Sequence, residues 1–149
     1  MEALDSIDRR IIEVLRTDGR ITVNDLADQI GLSGSPTLRR LRRLENDGVI
    51  RGYRADVVPS ALDRGLSVWV TVRLAVGDPQ TQNEFEHGLR ALDSVTEAHH
   101  VTGDVDYMVR VDVADLSAYD HVIRNELARL PGQAQITSYV VTSTAIERR

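Results

Sequence analysis

Four arginines, Arg39, Arg40, Arg42 and Arg43, stand together in the stretch SGSPTLRRLRRLENDGVIRGYRA that runs from Ser33 to Ala55. A guanidinium presents a rigid fork of donors that suits phosphate oxygens and the edge of guanine. The arginines are interleaved with Leu38, Leu41 and Leu44. On a helix turning about 100° per residue, the three leucines share one face, with Arg39 and Arg43 opposite and Arg40 and Arg42 on the flanks. A solvated amphipathic face is the plain alternative. Against it, no acid stands four residues before any of these arginines, so pairs within the helix do not explain them. Four like charges also repel, which calls for an external anion. DNA is the anion expected: Arg39 and Arg43 at the bases, Arg40 and Arg42 at phosphates, and Ser35 and Thr37 contributing at the helix start. All 18 basic residues are arginine, so the choice of arginine over lysine reflects the coding of the chain and carries little weight.

Other chemistry is sparse. There is no phosphate-binding glycine loop and no HExxH, and the chain has no cysteine for a disulfide, a thiolate metal site or a nucleophile. His99 and His100 are neighbours in an expected strand, so they point to opposite faces and cannot chelate one ion together. No cofactor, metal or catalytic constellation is expected. One turn stands out: Gly103, Asp104, Asp106 and Tyr107 in GDVDY. Its carboxylates could take a ligand's amino group and its backbone N–H groups a carboxylate, or it is an ordinary polar hairpin turn.

Net charge is −5 but unevenly placed. Residues 1–35 hold four arginines against seven acids, 36–54 hold six against two, and 60–149 hold eight against thirteen. One short basic segment in an acidic chain is the footprint of a single element touching phosphate. No run approaches the roughly 20 apolar residues of a membrane span, and the first ten residues lack a secretory pattern. A cytoplasmic, nucleoid-associated protein is expected.

The elements around the arginines read as a helix-turn-helix. Asp5 with Asp8 opens a first helix whose stripe is Leu4, Ile7, Ile11, Val14 and Leu15; Thr22 with Asp25 opens a short second one that Gly31 stops. Ser35-Pro36 is read as the cap and first residue of the arginine helix and Asp47-Gly48 as its end. A tight turn between the last two helices matches the motif that sets its second helix in the major groove. Val49 to Val58 is expected as a strand carrying Arg51 and Arg54 on the DNA side, and Pro59 to Gly65 as a linker.

Beyond it the period changes to two. Val68 to Val76 is a strand, Thr81 to Leu92 a helix, Val95 to Val101 and Tyr107 to Val113 strands, Leu116 to Leu130 a helix, and Gln133 to Thr144 a last strand. The order βαββαβ names a ferredoxin-like unit. Its helices cover one sheet face, yet Trp69, Met108, Tyr139 and Val141 fall on the other, so that face is expected to pair two copies of the chain.

In this order the motifs resemble the Lrp/AsnC, or feast/famine, family of transcription regulators. LDSIDRRIIEVLRTDGRIT looks like its first helix, LADQIGLSGSPTLRRLRRLENDGVIRGYRA its helix-turn-helix, VTGDVDYMVRV its ligand-domain loop and strand, and TSYVVTSTAIER its last strand. The resemblance implies an α+β chain: a winged-helix-like helix-turn-helix DNA-binding domain at 1–50, a strand and linker at 51–66, and a ferredoxin-like (RAM/ACT-like) effector-binding and oligomerisation domain at 67–149. It implies a regulator of transcription, not an enzyme, that binds double-stranded DNA and answers to an amino acid. The effector would lie near Gly103, Asp104, Asp106 and Tyr107, with Thr137 and Tyr139 carried over on the last strand. Homodimers assembling to octamers are implied as well. The alternative is a nucleoid-organising DNA-binding protein of the same fold without an effector.

Overall fold

The computed structural model describes residues 3–146; the outermost residues of the two expected terminal domains, 1–2 and 147–149, lie outside the described ones. The chain divides into two compact units, one ending at Asp56 and the other beginning at Val57.

The first unit holds three helices: α1 (Ser6–Thr17), α2 (Val23–Ile30) and α3 (Gly34–Asn46). Asp5 closes a capping box on α1: its Oδ1 accepts from the N–H groups of Ile7 and Asp8 at 2.9 and 2.8 Å, and Asp8 Oδ2 accepts from the Asp5 N–H at 3.2 Å. Thr22 caps α2 by accepting from the Asp25 N–H at 3.2 Å. Gly31 then takes a left-handed φ of 73°, which turns the chain sharply into α3. Ile11, Leu26, Ile30 and Leu44 form the core of this unit, with Ile7, Leu15, Leu41 and Ile50 packed on it.

Two expectations fail here. Ser33, not Ser35, is the N-cap of α3, which starts at Gly34. Pro36 is therefore the third helical residue, where an N–H has no partner within a helix in any case. The strand expected over Val49 to Val58 is absent: residues 51–58 are exposed and in no sheet. Its residues have a strand's composition, but a strand also needs a neighbouring ladder, and none is within reach in the first unit.

The second unit is one antiparallel sheet of β1 (Leu66–Leu74), β2 (Val95–His100), β3 (Tyr107–Val113) and β4 (Gln133–Val140), in the order β2-β3-β1-β4, with α4 (Pro79–Arg90) and α5 (Leu116–Asn125). Val68, Val70, Val72, Val109 and Val111 alternate inward and are fully buried against Phe85 and Leu89 of α4 and Tyr119 and Val122 of α5. On the other parity Trp69 stands opposite Arg110 and Tyr139, and Thr71 opposite Met108 and Thr137. Several expected boundaries move: β1 runs from Leu66 to Leu74 where Val68 to Val76 was expected, and β2 ends at His100 one residue early. Helix α4 begins at Pro79 because Asp78 caps it, accepting from the N–H groups of Gln80 and Thr81 at 3.0 Å each. Helix α5 stops at Asn125 and a separate 3-10 turn, Leu127–Arg129, follows. Strand β4 ends at Val140.

Candidate nucleic-acid interface

Helix α3 is rotated relative to the expectation. The residues it buries are Thr37 and Leu44, with Leu41 half-buried in the same core, whereas Leu38 lies outside that core, in the groove along the helix. Thr37 is fully buried and its hydroxyl donates to the Ser33 carbonyl at 2.9 Å. Its expected role at DNA is thereby corrected: a side chain inside the core cannot reach a groove. With Thr37, Leu41 and Leu44 inward, the outward stripe becomes Ser35, Arg39, Arg42 and Asn46, all exposed. At 100° per residue these four fall within about 60° of one another. They line a groove with Pro36, Leu38, Arg43 and Asp47.

Arg40 and Arg43 sit on the flank and meet the start of α1. Arg40 Nη1 donates to Asp5 Oδ2 at 2.6 Å and to Asp8 Oδ1 at 2.9 Å, and Arg43 Nη2 donates to Asp8 Oδ2. The Asp8 side chain is 1% exposed. The Asp8 N–H and Arg40 hold the Asp5 carboxyl below the usual carboxylate range, and the two carboxylates in turn raise the Arg40 guanidinium. The inference that no internal acid balances the arginines is therefore wrong for these two, because the balancing acids come from another helix. Among the described residues, Arg39 and Arg42 have neither a hydrogen-bond nor an ion-pair partner. Arg51 and Arg54 are exposed beside Arg16, in a groove with Tyr53, whose hydroxyl donates to Glu45 at 2.9 Å. Burial, then Glu45, pushes that phenol up to about 12.

Sequence reasoning missed the acids. Asp5 and Asp8 were legible as a capping pair, and that reading used them up. Asn46 was not among the expected residues; its place at i+7 from Arg39 puts it on the same exposed stripe.

In the second unit the six residues expected at an effector fall in four places. Gly103 and Asp104 are exposed in the loop before β3. Asp106 is part of the framework: its N–H donates to the Val72 carbonyl at 3.0 Å and its Oδ2 accepts from the Leu74 N–H at 2.7 Å. Thr137 and Tyr139 are exposed on the outer sheet face. Tyr107 points the other way and is 2% exposed, its ring centroid 4.9 Å from Phe85 and 5.0 Å from His100. Its hydroxyl donates to Glu86 at 3.2 Å, in a cleft of about 330 Å³ under α4 lined also by Arg90, Val95, Ala98 and His100. Burial, then Glu86, pushes the phenol up to about 12. Tyr107 and Tyr139 thus cannot touch one ligand within a single chain, because the sheet lies between them. Among the described residues, no three His, Cys, Asp or Glu side chains gather as metal ligands would.

Residues 67–149 match the Lrp/AsnC ligand binding domain, more than half of the chain, and residues 4–51 match a winged helix-turn-helix DNA-binding domain. The chain belongs to the Lrp/AsnC family. This Lrp/AsnC protein is 42% identical over 140 residues to the leucine-responsive regulatory protein of Haemophilus influenzae, covering 94% of this chain and 84% of that one. The leucine-responsive regulatory protein of Escherichia coli K12 is also 42% identical, over 138 residues, covering 93% and 84%. A transcriptional regulator from Neisseria meningitidis, solved as a complex with L-methionine, superposes with a TM-score of 0.92 at 29% identity, over 97% of this chain and 94% of that one. A feast or famine regulatory protein from M. tuberculosis, also complexed with L-methionine, gives 0.88 at 31% identity over 99% and 97%. Like its family, the Lrp/AsnC protein described here is a DNA-binding transcriptional regulator that carries a ligand-binding domain. No described helix is long and apolar enough to cross a membrane.

Proposed function

We propose that this regulator reads a specific DNA sequence through α3 and changes that binding when an amino acid, of the leucine or methionine kind, occupies its C-terminal unit. The observation that carries the reading is the exposed stripe of Ser35, Arg39 and Arg42, two of whose members have no internal counter-charge among the described residues. Arg51 and Arg54 extend the positive surface of the same unit. Residues 1–50 form the DNA-binding part, 51–66 the linker and 67–149 the effector and assembly part, in a cytoplasmic, nucleoid-associated protein that performs no catalysis. The effector lies near Gly103 and Asp104, with Thr137 and Tyr139 approached from the outer sheet face. That face, with Trp69, Met108 and Tyr139 half-buried or exposed, pairs two copies, and dimers build an octamer.

Anisotropy of a labelled duplex from its own upstream region, against a random duplex, tests the reading with and without L-leucine and L-methionine. The expected result is tighter binding to the upstream duplex and a shift with one amino acid. Equal affinity for both duplexes, unmoved by any amino acid, would leave a DNA-organising protein instead. A thermal-shift series gives the effector directly: at 100-fold its dissociation constant it stabilises by about 2.7 kcal/mol. Trp69→Asp is expected to dissociate the dimer in sedimentation experiments; an unchanged mass would move the interface elsewhere.

A further inference from the structure

We infer that the arginine cluster of α3 is divided in function: Arg40 and Arg43 are positioning residues fastened to α1 by Asp5 and Asp8, and the DNA-reading set is the stripe Ser35, Arg39, Arg42 and Asn46. The division rests on the DNA-reading role proposed above for α3.

The geometry sets the two pairs apart. Arg40 and Arg43 stand three residues apart on the flank of α3 that faces α1, and both reach one carboxylate. Asp8 Oδ1 takes Arg40 at 2.9 Å, and Oδ2 takes Arg43 together with the Asp5 N–H at 3.2 Å. Asp5 adds a second acceptor for Arg40 at 2.6 Å while its other oxygen caps the helix. Both acids are thus used twice, for the start of α1 and for the arginine flank of α3. A phosphate could draw Arg40 or Arg43 out of this position only by stripping the counter-charge from Asp8, whose side chain is 1% exposed. An ionised carboxylate left unpaired at such depth is strongly disfavoured. Nothing of this kind holds back Arg39 and Arg42. Asn46 completes their stripe one turn beyond Arg42 and offers the paired donor and acceptor that adenine accepts. The burial of Thr37 and Leu44 sets the rotation of α3, and the acids then hold two of its four arginines against α1.

The test uses the full chain, a duplex from its own upstream region and a random duplex, with three readouts: the slope of log affinity against log salt, discrimination between the duplexes, and melting temperature. Arg39→Ala and Arg42→Ala each take one guanidinium off the DNA and are expected to reduce discrimination between the duplexes and to lower the slope by up to about one unit, with an unchanged melting temperature. Arg40→Ala is expected to lower the melting temperature and leave the slope alone. Asp8→Asn is expected to release two guanidiniums, so the slope steepens by up to about two units while discrimination falls; a purely structural acid would not steepen it. Asp5→Asn keeps a capping oxygen and a folded helix and is expected to steepen the slope by less. A drop of about one unit for Arg40→Ala, equal to that for Arg39→Ala, would make Arg40 a phosphate contact and overturn the division. Unchanged slopes for all three arginine variants would instead overturn the placement of α3 on DNA.

Discussion

Two aspartate–arginine clusters sit in the two units of this chain, and they are built differently. In the first unit Asp8 gathers Arg40 and Arg43 from 32 and 35 residues away. In the second, Asp112 takes Arg110 Nε at 3.1 Å and the Thr96 hydroxyl at 2.6 Å, while Arg110 reaches Ser67 at 3.1 Å and Glu97 at 3.2 Å. The Asp8 cluster ties one helix to another through a single buried carboxylate. The Asp112 cluster spreads over three neighbouring strands, each already held by its ladder. Loss of a tie matters most where no backbone ladder fixes the geometry, so the helical cluster should hold Arg40 and Arg43 in place and the sheet cluster only local order.

Asp8→Ala is the severest way to break that contrast. It removes the buried acceptor of two partly exposed arginines and half of the capping box, and it is expected to cost about 1.5–3 kcal/mol, the range for hydrogen bonds to charged groups. Urea unfolding followed by circular dichroism measures it; a loss under about 1 kcal/mol, the range of surface pairs, would put the cluster on the level of the sheet's. Arg42→Ala comes next and acts on binding rather than folding. Losing a base contact is expected to cost about 1–3 kcal/mol in affinity for the upstream duplex and to relax discrimination at one base position. If affinity for the random duplex fell equally, Arg42 would be a phosphate contact within the same stripe.

The difference between the clusters also explains what could be read from the sequence. Capping residues, glycine stops and alternating valines act over three or four positions, so Asp5, Thr22, Gly31 and the inward set Val68, Val70 and Val72 were all legible. Inner and outer sheet parity followed from the same alternation, which placed Trp69 and Met108 correctly on the face opposite the helices. The direction of α3 was not legible. Leucine is more apolar than threonine, so Leu38 claimed the core, yet Thr37 sits there because its hydroxyl is satisfied by the Ser33 carbonyl one turn back. That exchange shifts the outward face by about one residue's turn and decides which arginines are free of α1. The acids that hold the others were out of range of any helical spacing rule. The strand expected after Gly48 failed for a related reason: composition can nominate a strand, but only a partner edge makes one. The effector set was scattered because a resemblance aligns residues along the chain and does not say which face of a sheet each one meets.

The smallest expected effect sharpens the contrast through pH. Burial alone would raise the Asp112 carboxyl, but hydrogen bonds from Thr96 and Ser67 and the charge of Arg110 outweigh it, and its affinity for a proton falls below the ordinary value. A carboxyl whose folded value is depressed stabilises the fold above its unfolded value, near about 3.9, and the contribution fades as pH falls through the lower folded value. Asp112→Asn should therefore cost about 1 kcal/mol or less at neutral pH, and its stability curve should converge with that of the unaltered chain as pH drops below the usual carboxylate range. Because ladders hold the strands, the sheet should keep its register throughout, visible as unchanged amide exchange along β1 and β3. Loss of protection there at neutral pH would show that the sheet depends on this cluster as α3 depends on Asp8, and the contrast between the two units would collapse.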